Sequence, residues 1–291
     1  SIRDPYDDIP FKHKRWYEFK INNEFIRSND TMTKAVMMRD PVVMNKMKTK
    51  YNVGWMPLST DPVSEKDVRN NFSTDTFNVF FHRVEFNPPV TNENLRMMGP
   101  RLEKAASLVA PDEPLDVLVY ACTACATNLG NETVCANINL GRPGVPVINP
   151  ALAGVTGMEA IGAKRMGLVA PYSAEVSDSV GDHFEASGIE VVKTLCMDCP
   201  RDYEIARVSD KTMIDACLEV AEEDIDAIFM TCAAFPAINV IEEVERLTGK
   251  YVLSSNQSMI WMVYRTLGLN DNLTNLGKLF EHPMLDIKKA A

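Results

Sequence analysis

The chain of 291 residues lacks long apolar runs, an excess of basic residues and a rich supply of histidine. Its longest apolar runs, such as 117–122 and 227–230, fall far short of the roughly 20 residues that span a bilayer. No N-terminal stretch combines a charged start, a continuous apolar middle and a small-residue cleavage site. We therefore expect a cytoplasmic protein with no membrane partner.

The charge balance is acidic, with 30 Lys and Arg against 40 Asp and Glu and a formal net charge of −10. Nucleic acid is not an expected partner, because phosphate binding requires a basic face. The net charge does not exclude a small anionic substrate, because such a substrate responds to the local field of its pocket rather than to the net charge of the protein. The 46% hydrophobic content is sufficient for a sizeable buried core.

Seven cysteines, an odd number, suggest reduced thiols of the kind found in a cytoplasm. Two pairs, Cys122/Cys125 and Cys196/Cys199, have the C-x-x-C spacing of zinc and redox motifs. The pairs lie far apart in the chain, and none of the four histidines stands near them. We therefore expect no metal and no cofactor, while a regulatory disulfide within either pair stays open.

From Tyr51 onward, short apolar runs alternate with helical stretches, which is typical of a parallel-sheet α/β protein. This part of the chain also contains an internal repeat. Three segments recur in the same order: 54–59 matches 167–173, 115–122 matches 225–232, and 146–149 matches 251–254. Cys122 and Cys232 end the second matched pair, so they occupy equivalent positions in the repeat.

The repeat predicts an α/β fold with two similar parallel-sheet, flavodoxin-like halves related by a pseudo-twofold axis. The predicted organisation is an N-terminal arm (1–50), a first α/β half (51–165), a second α/β half (166–275) and a C-terminal tail (276–291). Helical spacing of apolar residues predicts one helix over 92–108, with Thr91 as its N-cap, and another over 214–221. From Trp261 onward we expect a closing helix and a tail.

Each repeated cysteine directly follows an apolar strand, where parallel α/β sheets bind ligands. The small residues that follow, Thr123-Ala124 and Ala233-Ala234, predict a tight turn into a helix whose backbone N–H groups face a carboxylate. Such a turn would lower the thiol pKa towards neutrality. If the halves face each other, one thiolate can remove a proton while the other thiol donates one. Alternatively, the pair could add to a double bond of the substrate and then release the substrate after rotation about that bond.

Other polar residues stand at matching strand ends and are candidates for substrate binding. They are Ser59 and Thr60 in the first half, and Tyr172, Ser173 and Asn256 in the second. Residues of these types at strand ends are also common helix N-caps, so both roles stay open. Together with the two turns, the predicted substrate-binding residues are Ser59, Thr60, Thr123, Ala124, Tyr172, Ser173, Ala233, Ala234 and Asn256.

The chain resembles the aspartate/glutamate racemase superfamily, in the branch of maleate cis–trans isomerases, arylmalonate decarboxylases and ectoine-utilisation proteins. The similarity runs from about Val53 to Leu267 and leaves the N-terminal arm outside. Its motifs are 87–95 with Met98, 115–123, 171–173, and Cys232 with 255–257. Two departures from the family pattern are Cys125 and the pair Phe235-Pro236 after Cys232.

The resemblance implies a two-half fold, opposed cysteines and no cofactor. It also implies that substrate carboxylates are held by five residues: Ser59, Thr123, Tyr172, Ala233 and Asn256. Arylmalonate decarboxylases keep a cysteine only in the second half, so the presence of both favours isomerase chemistry.

Three hypotheses about function follow from the sequence. The first is a cofactor-independent isomerase of a small carboxylic acid, either a racemase or epimerase or a cis–trans isomerase, that uses Cys122 and Cys232. The second is an arylmalonate-type decarboxylase that uses Cys232 alone. The third is a carboxylate-binding or thiol-redox protein without turnover. The arm and its methionine-rich face suggest a homo-oligomer.

Overall fold

The computed structural model describes residues 42–43 and 51–285. The predicted N-terminal arm therefore lies outside the described residues, apart from two exposed valines at 42 and 43, and so do positions 286–291 of the predicted tail. Within the described ranges, no helix is both long and apolar enough to cross a membrane.

The first half is a four-stranded parallel sheet in the order β2-β1-β3-β4. Its elements, in chain order, are β1 (Tyr51–Pro57), α1 (Ser64–Asn71), β2 (Phe77–Phe81), α2 (Asn92–Arg96), α3 (Gly99–Ser107), β3 (Val117–Ala121), α4 (Thr123–Leu129), α5 (Asn131–Gly141), β4 (Val147–Ile148) and α6 (Pro150–Ala160).

The second half repeats this topology, with a four-stranded parallel sheet in the order β6-β5-β7-β8. Its elements are β5 (Arg165–Ala170), α7 (Ala174–Ala186), β6 (Glu190–Cys196), α8 (Asp202–Ile205), α9 (Asp210–Ala221), β7 (Ala227–Met230), α10 (Ile241–Thr248), β8 (Tyr251–Ser254) and α11 (Ser255–Thr266). Short 3₁₀ turns follow at Thr274–Leu276 and Lys278–Glu281.

The strand register confirms the repeat that the sequence predicts. Gly54 on β1 pairs with Leu118 on β3, and Gly167 on β5 pairs with Ile228 on β7. Leu118 in turn pairs with Val147 on β4, as Ile228 pairs with Val252 on β8. Because these pairings coincide, Cys122 and Cys232 reach the carboxyl edge of their sheets at equivalent positions.

Of the four inner strands, β3 and β7 are buried along their whole length, as expected where helices cover both faces of a parallel sheet. The core continues from one half into the other at α11. The Tyr264 hydroxyl on that helix donates a hydrogen bond to the Asn71 carbonyl (2.8 Å), and its ring stacks on Phe72 at 5.6 Å. Within the described range 51–285, both halves accordingly belong to one compact unit.

The helix predictions need three corrections. The helix predicted over 92–108 is two helices, α2 and α3, because Pro100 stands in the first turn of α3 and cannot donate to a preceding turn. Thr91 does cap α2, accepting a hydrogen bond from the Asn94 amide. The helix predicted from residue 214 begins at Asp210, and the closing helix begins at Ser255 rather than near Trp261.

Candidate active site

A pocket of about 310 Å³, counted with its mouth, lies where the carboxyl edges of the two sheets meet. The first half contributes Leu58, Asp61, Phe86, Val90, Leu95, Ala121, Cys122, Thr123 and Ala124, and the second half contributes Tyr172, Asp202, Cys232, Ala233 and Ala234. Apolar side chains such as Phe86 and Leu95 form much of the wall on the first half. The polar groups of both halves therefore converge on one partly enclosed volume.

Cys122 follows the last residue of β3 and is the N-cap residue of α4. Its side chain faces the pocket and is only 7% exposed. The strand-to-helix turn predicted after this cysteine is confirmed, since α4 begins at Thr123. The neighbouring Cys125 thiol and burial together raise the pKa of Cys122 well above its ordinary value.

Cys232 is placed by a different local structure from that of its counterpart. Its φ angle is +94°, in the region that favours glycine, and it is 6% exposed at the pocket wall. The predicted helix does not follow it, because Phe235-Pro236 interrupts the chain before a 3₁₀ turn at Ala237–Val240. The backbone amide of Cys232 donates to Ser255 Oγ (3.0 Å), a contact that holds the unusual conformation.

The expectation that both thiols have a lowered pKa is wrong. Burial raises the pKa of Cys232 well above its ordinary value, and the negative charge of Asp202 raises it further. The Tyr172 hydroxyl and the backbone of Ala234 oppose this effect only in part. Burial at this wall therefore favours the protonated form of both thiols over the thiolate.

Ser255, at the start of α11, connects the turns that follow the two cysteines. Its buried hydroxyl oxygen accepts from the Cys232 amide and shares a 2.7 Å hydrogen bond with Thr123 Oγ1. Ser255 belongs to the motif 255–257, but sequence reasoning chose Asn256 there as the binding residue, and the equivalent position in the first half is Pro150. The contact couples the backbone of one cysteine turn to the side chain beside the other.

Two buried carboxyl groups in the pocket wall were also missed from sequence. Asp61 accepts hydrogen bonds from the Val63 and Ser64 amides (2.7 and 3.1 Å) and from the Ser64 hydroxyl, yet burial still raises its pKa. Asp202, the first residue of α8, accepts from Thr60 Oγ1, and burial raises its pKa to about 6. Asp61 could have been found, because it follows Ser59-Thr60 after β1. Asp202 begins α8, in a segment that the sequence repeat does not mark.

The structure brings five of the predicted binding residues to the pocket and places four outside its lining. The five are Thr123, Ala124, Tyr172, Ala233 and Ala234. Ser59 Oγ accepts from the Phe86 amide, Thr60 donates to Asp202, and Ser173 caps α7. Asn256 is buried behind the wall, where its Nδ2 donates to the Ala233 carbonyl and to Asp67 Oδ2, both at 2.8 Å. Three of these four residues support the wall from outside, since Ser59, Thr60 and Asn256 bond to the lining residues Phe86, Asp202 and Ala233.

All seven cysteines lie within the described residues, and each carries a free thiol. Within the same part of the chain, no group of three or more His, Cys, Asp or Glu side chains is arranged to hold a metal ion. The polar groups at the pocket include the two thiols, the Tyr172 hydroxyl, the carboxyl groups of Asp61 and Asp202, and the backbone of the turns that follow Cys122 and Cys232, which we call the cysteine turns.

Comparison with known proteins agrees with this arrangement. A family model described as arylmalonate decarboxylase matches residues 130–280. A maleate isomerase of Geobacillus stearothermophilus is 29% identical over 248 residues, covering 80% of this chain and 98% of that protein. The arylmalonate decarboxylase of Bordetella bronchiseptica is 26% identical over 127 residues, covering 43% of this chain and 53% of the relative.

Solved structures share the fold. The maleate isomerase Iso from Pseudomonas putida S16 superposes with a TM-score of 0.73 at 24% identity, covering 80% of this chain and 98% of the other. An arylmalonate decarboxylase structure gives a TM-score of 0.63 at 19% identity, with 79% and 99% covered.

The doubled parallel-sheet fold, together with the sequence matches to maleate isomerases and to the arylmalonate decarboxylase model, defines an enzyme of the aspartate/glutamate racemase superfamily. Within that superfamily the chain belongs to the arylmalonate decarboxylase family, whose model matches more than half of it. The matched range includes Cys232 and leaves Cys122 outside.

Proposed function

We propose that the enzyme is a cofactor-independent isomerase of a small carboxylic acid, with Cys122 and Cys232 acting on the substrate from two sides. The observation that carries this proposal is that both repeat-matched cysteines line the same pocket. The curated relatives named maleate isomerase support it, since four of them match and three cover 80% of this chain.

The substrate carboxylate is held in this proposal by the cysteine turns. Thr123 and Ala124 open α4, so their backbone N–H groups have no partner within that helix. Ala233 and Ala234 present the backbone of the opposite turn, and Tyr172 adds a hydroxyl between the halves. Donors from two directions fix the acid with its reactive carbon between the two sulfur atoms.

Two reaction routes use this geometry. In the first, one sulfur, as thiolate, takes the proton from the carbon next to the carboxylate, and the opposite thiol delivers a proton to the other face. In the second, a thiolate forms a C–S bond to one carbon of a double bond, the remaining C–C single bond rotates, and the C–S bond breaks to release the isomer. A solved cysteine-to-serine mutant of the Nocardia farcinica maleate cis–trans isomerase holds a covalently bound succinylcysteine intermediate, which supports a sulfur nucleophile in this fold.

Decarboxylation is the second candidate function. The family model covers the half that contains Cys232, and its description is arylmalonate decarboxylase. Under this hypothesis Cys232 alone protonates the carbanion that forms when CO₂ leaves, and Cys122 lies nearby without taking part in the reaction.

Proton NMR of the full chain in D₂O, with a panel of small acids, tests the proposal. The panel contains aspartate, glutamate, hydroxyaspartate, diaminobutyrate, maleate and an arylmalonate. Exchange of the proton next to a carboxylate supports the proton relay, and conversion of maleate to fumarate supports the addition route. Release of CO₂ from the arylmalonate without isomerisation of any acid would contradict the isomerase proposal and favour the decarboxylase.

A further inference from the structure

Cys125 is a thiol beside the pocket that the proposed function does not use. It is the second cysteine of the C-x-x-C pair Cys122/Cys125. Its side chain is completely buried, at 0% exposed, and it does not belong to the pocket lining. A free cysteine packs like a small apolar residue, so the property that distinguishes it from alanine or valine is the chemistry of its sulfur.

Both cysteines of the pair belong to the first turn of α4. Cys122 is the N-cap residue and Cys125 follows three positions later, so the two side chains share one face of the turn. The backbone amide and the thiol of Cys125 both act on the Cys122 sulfur through hydrogen bonds. The Cys125 thiol also donates to the Leu95 carbonyl on α2, at 3.5 Å. The two sulfur atoms therefore face each other, with Cys122 on the pocket side and Cys125 behind it.

Burial acts differently on the chemical states of this pair. Ionisation is costly, since the Cys125 thiol and burial raise the pKa of Cys122 well above its ordinary value. Burial also raises the pKa of the neighbouring Tyr120 hydroxyl, and the charges of both sulfurs raise it further. A disulfide carries neither a charge nor an S–H donor, so the apolar surroundings that oppose a thiolate do not oppose a disulfide.

Cys232 provides the contrast on the opposite wall. The residue three positions after it is Phe235, and the chain continues into a 3₁₀ turn rather than a helix. Besides burial, the main influences on the Cys232 sulfur come from Asp202, Tyr172 and Ala234 rather than from a thiol. Cys122 thus has a second thiol on its own turn, whereas the turn after Cys232 supplies none.

We propose that Cys122 and Cys125 are a redox-active dithiol, in which Cys125 is the resolving thiol that converts an oxidised Cys122 into an intramolecular disulfide. The oxidant is a small hydroperoxide, which reaches Cys122 through the pocket. In the first step the Cys122 sulfur takes an oxygen atom from hydrogen peroxide, which gives a sulfenic acid and one water. In the second step the Cys125 sulfur forms the S–S bond, and the sulfenic hydroxyl leaves with the Cys125 proton as a second water.

The disulfide makes the oxidation of Cys122 reversible. A dithiol reductant returns both sulfurs to thiols and is itself oxidised to a disulfide. Without a resolving thiol, the sulfenic acid is open to further oxidation to a sulfinic acid, which thiols do not reduce. The oxidised enzyme lacks one of the two sulfurs of the proposed reaction. That loss of turnover rests on the proposed function, whereas the sulfur chemistry itself does not.

Mass spectrometry of the full chain tests the proposal at the sulfur atoms. The reduced protein is treated with hydrogen peroxide, with and without dimedone, which traps sulfenic acids. The remaining thiols are then alkylated in denaturant, and the chain is digested without reductant. Because a raised pKa slows the oxidation of Cys122, the exposure lasts about ten times longer than the exposed Cys196 requires. In the parent chain Cys122 and Cys125 should be joined by a disulfide, and dithiothreitol should restore both thiols.

Cys125→Ser removes the resolving thiol and keeps a group of similar size that can donate to the Leu95 carbonyl. Its Cys122 should be trapped by dimedone, and without dimedone the sulfinic acid at Cys122 should exceed that of the parent by about ten-fold or more. Cys135→Ser is the matched control, because Cys135 is a free thiol on the next helix, α5, and does not line the pocket. It should form the parental disulfide.

The parent chain alone can overturn the proposal, whether or not the variants fold. One contradicting result is a Cys122 that is trapped by dimedone or reaches sulfinic acid while Cys125 stays a thiol. Another is a disulfide that joins Cys122 to a cysteine other than Cys125. A third is a pair that is still fully reduced after the complete exposure. Since none of these readouts needs turnover, their failure is distinguishable from a failure of the isomerase function.

Discussion

At the scale of single residues, the wall behind the pocket depends on Asp67. This carboxylate on α1 accepts from Asn256 Nδ2, the same nitrogen that donates to the Ala233 carbonyl beside Cys232. Burial raises the pKa of Asp67 to about 6, and the charge of Asp61 raises it further. A raised pKa in the folded state means that ionisation of this group opposes folding.

The pH dependence of stability tests this account of Asp67. Its favourable contribution is fully present below the unfolded pKa of 3.8 and is lost as the pH rises through about 6. An amide is neutral at every pH and still accepts from Asn256. Asp67→Asn should therefore raise the free energy of unfolding at neutral pH by on the order of 2 kcal/mol.

Urea denaturation at about pH 5 and about pH 7.5 measures the effect, because these values bracket the folded-state pKa. The gain should be clearly smaller at the lower pH. A variant that is less stable than the parent at neutral pH, or whose gain is the same at both values, would show that burial does not control this carboxyl.

At the scale of elements, close packing of helices decides which residues are tolerated. Helix α5 ends at Gly141 against α3, where an added Cβ would lie 2.2 Å from the Glu103 carbonyl oxygen and 2.9 Å from the Ser107 amide nitrogen. Backbone atoms cannot move aside as a flexible side chain can. Gly181 in α7 is different, since its Cβ would meet nothing closer than Val191 at 4.0 Å.

Alanine at these two glycines should have opposite effects on stability. Gly141→Ala should lower the free energy of unfolding by about 1–3 kcal/mol through overpacking against α3. Gly181→Ala should leave it unchanged or raise it by up to about 1 kcal/mol, because alanine favours the helix and fits the space. Urea denaturation of both variants measures the difference, and equal effects would contradict the packing described for α3 and α5.

Elements also show what the sequence can and cannot predict. Apolar runs located the inner strands, because strands buried on both faces need continuous apolar residues. Helical spacing identified the region 92–108, but a single Pro100 divides it into two helices. The turn after Cys232 was predicted as a helix start, and Phe235-Pro236 prevents that; small residues after a strand show only that a tight turn is allowed.

At the scale of the whole molecule, the pocket exists because the two halves meet. Hydrogen bonds cross the junction from Thr60 to Asp202 and between Thr123 and Ser255. Asn92 Nδ2 extends the junction by donating to Glu175 (3.1 Å) and Ser179 (3.0 Å). The internal repeat could predict two halves and two equivalent cysteines. It could not predict Asp202 or Ser255, because each has its role through contact with the other half and has no marked repeat counterpart.

The measurement that tests the central claim most directly is the turnover of single cysteine variants, followed by NMR with an acid of the panel that the parent chain converts. Cys122→Ser and Cys232→Ser should each lower kcat/KM by at least about a thousand-fold, because each sulfur supplies one step. Cys217→Ser is the matched control, since Cys217 is a buried free thiol on α9 outside the pocket lining. It should keep the parental rate, and thermal unfolding should show all three variants folded.

The two-thiol account predicts equal dependence on both cysteines. If Cys122→Ser keeps most of the parental rate while Cys232→Ser loses it, the reaction needs one sulfur, and the proposed pair is wrong.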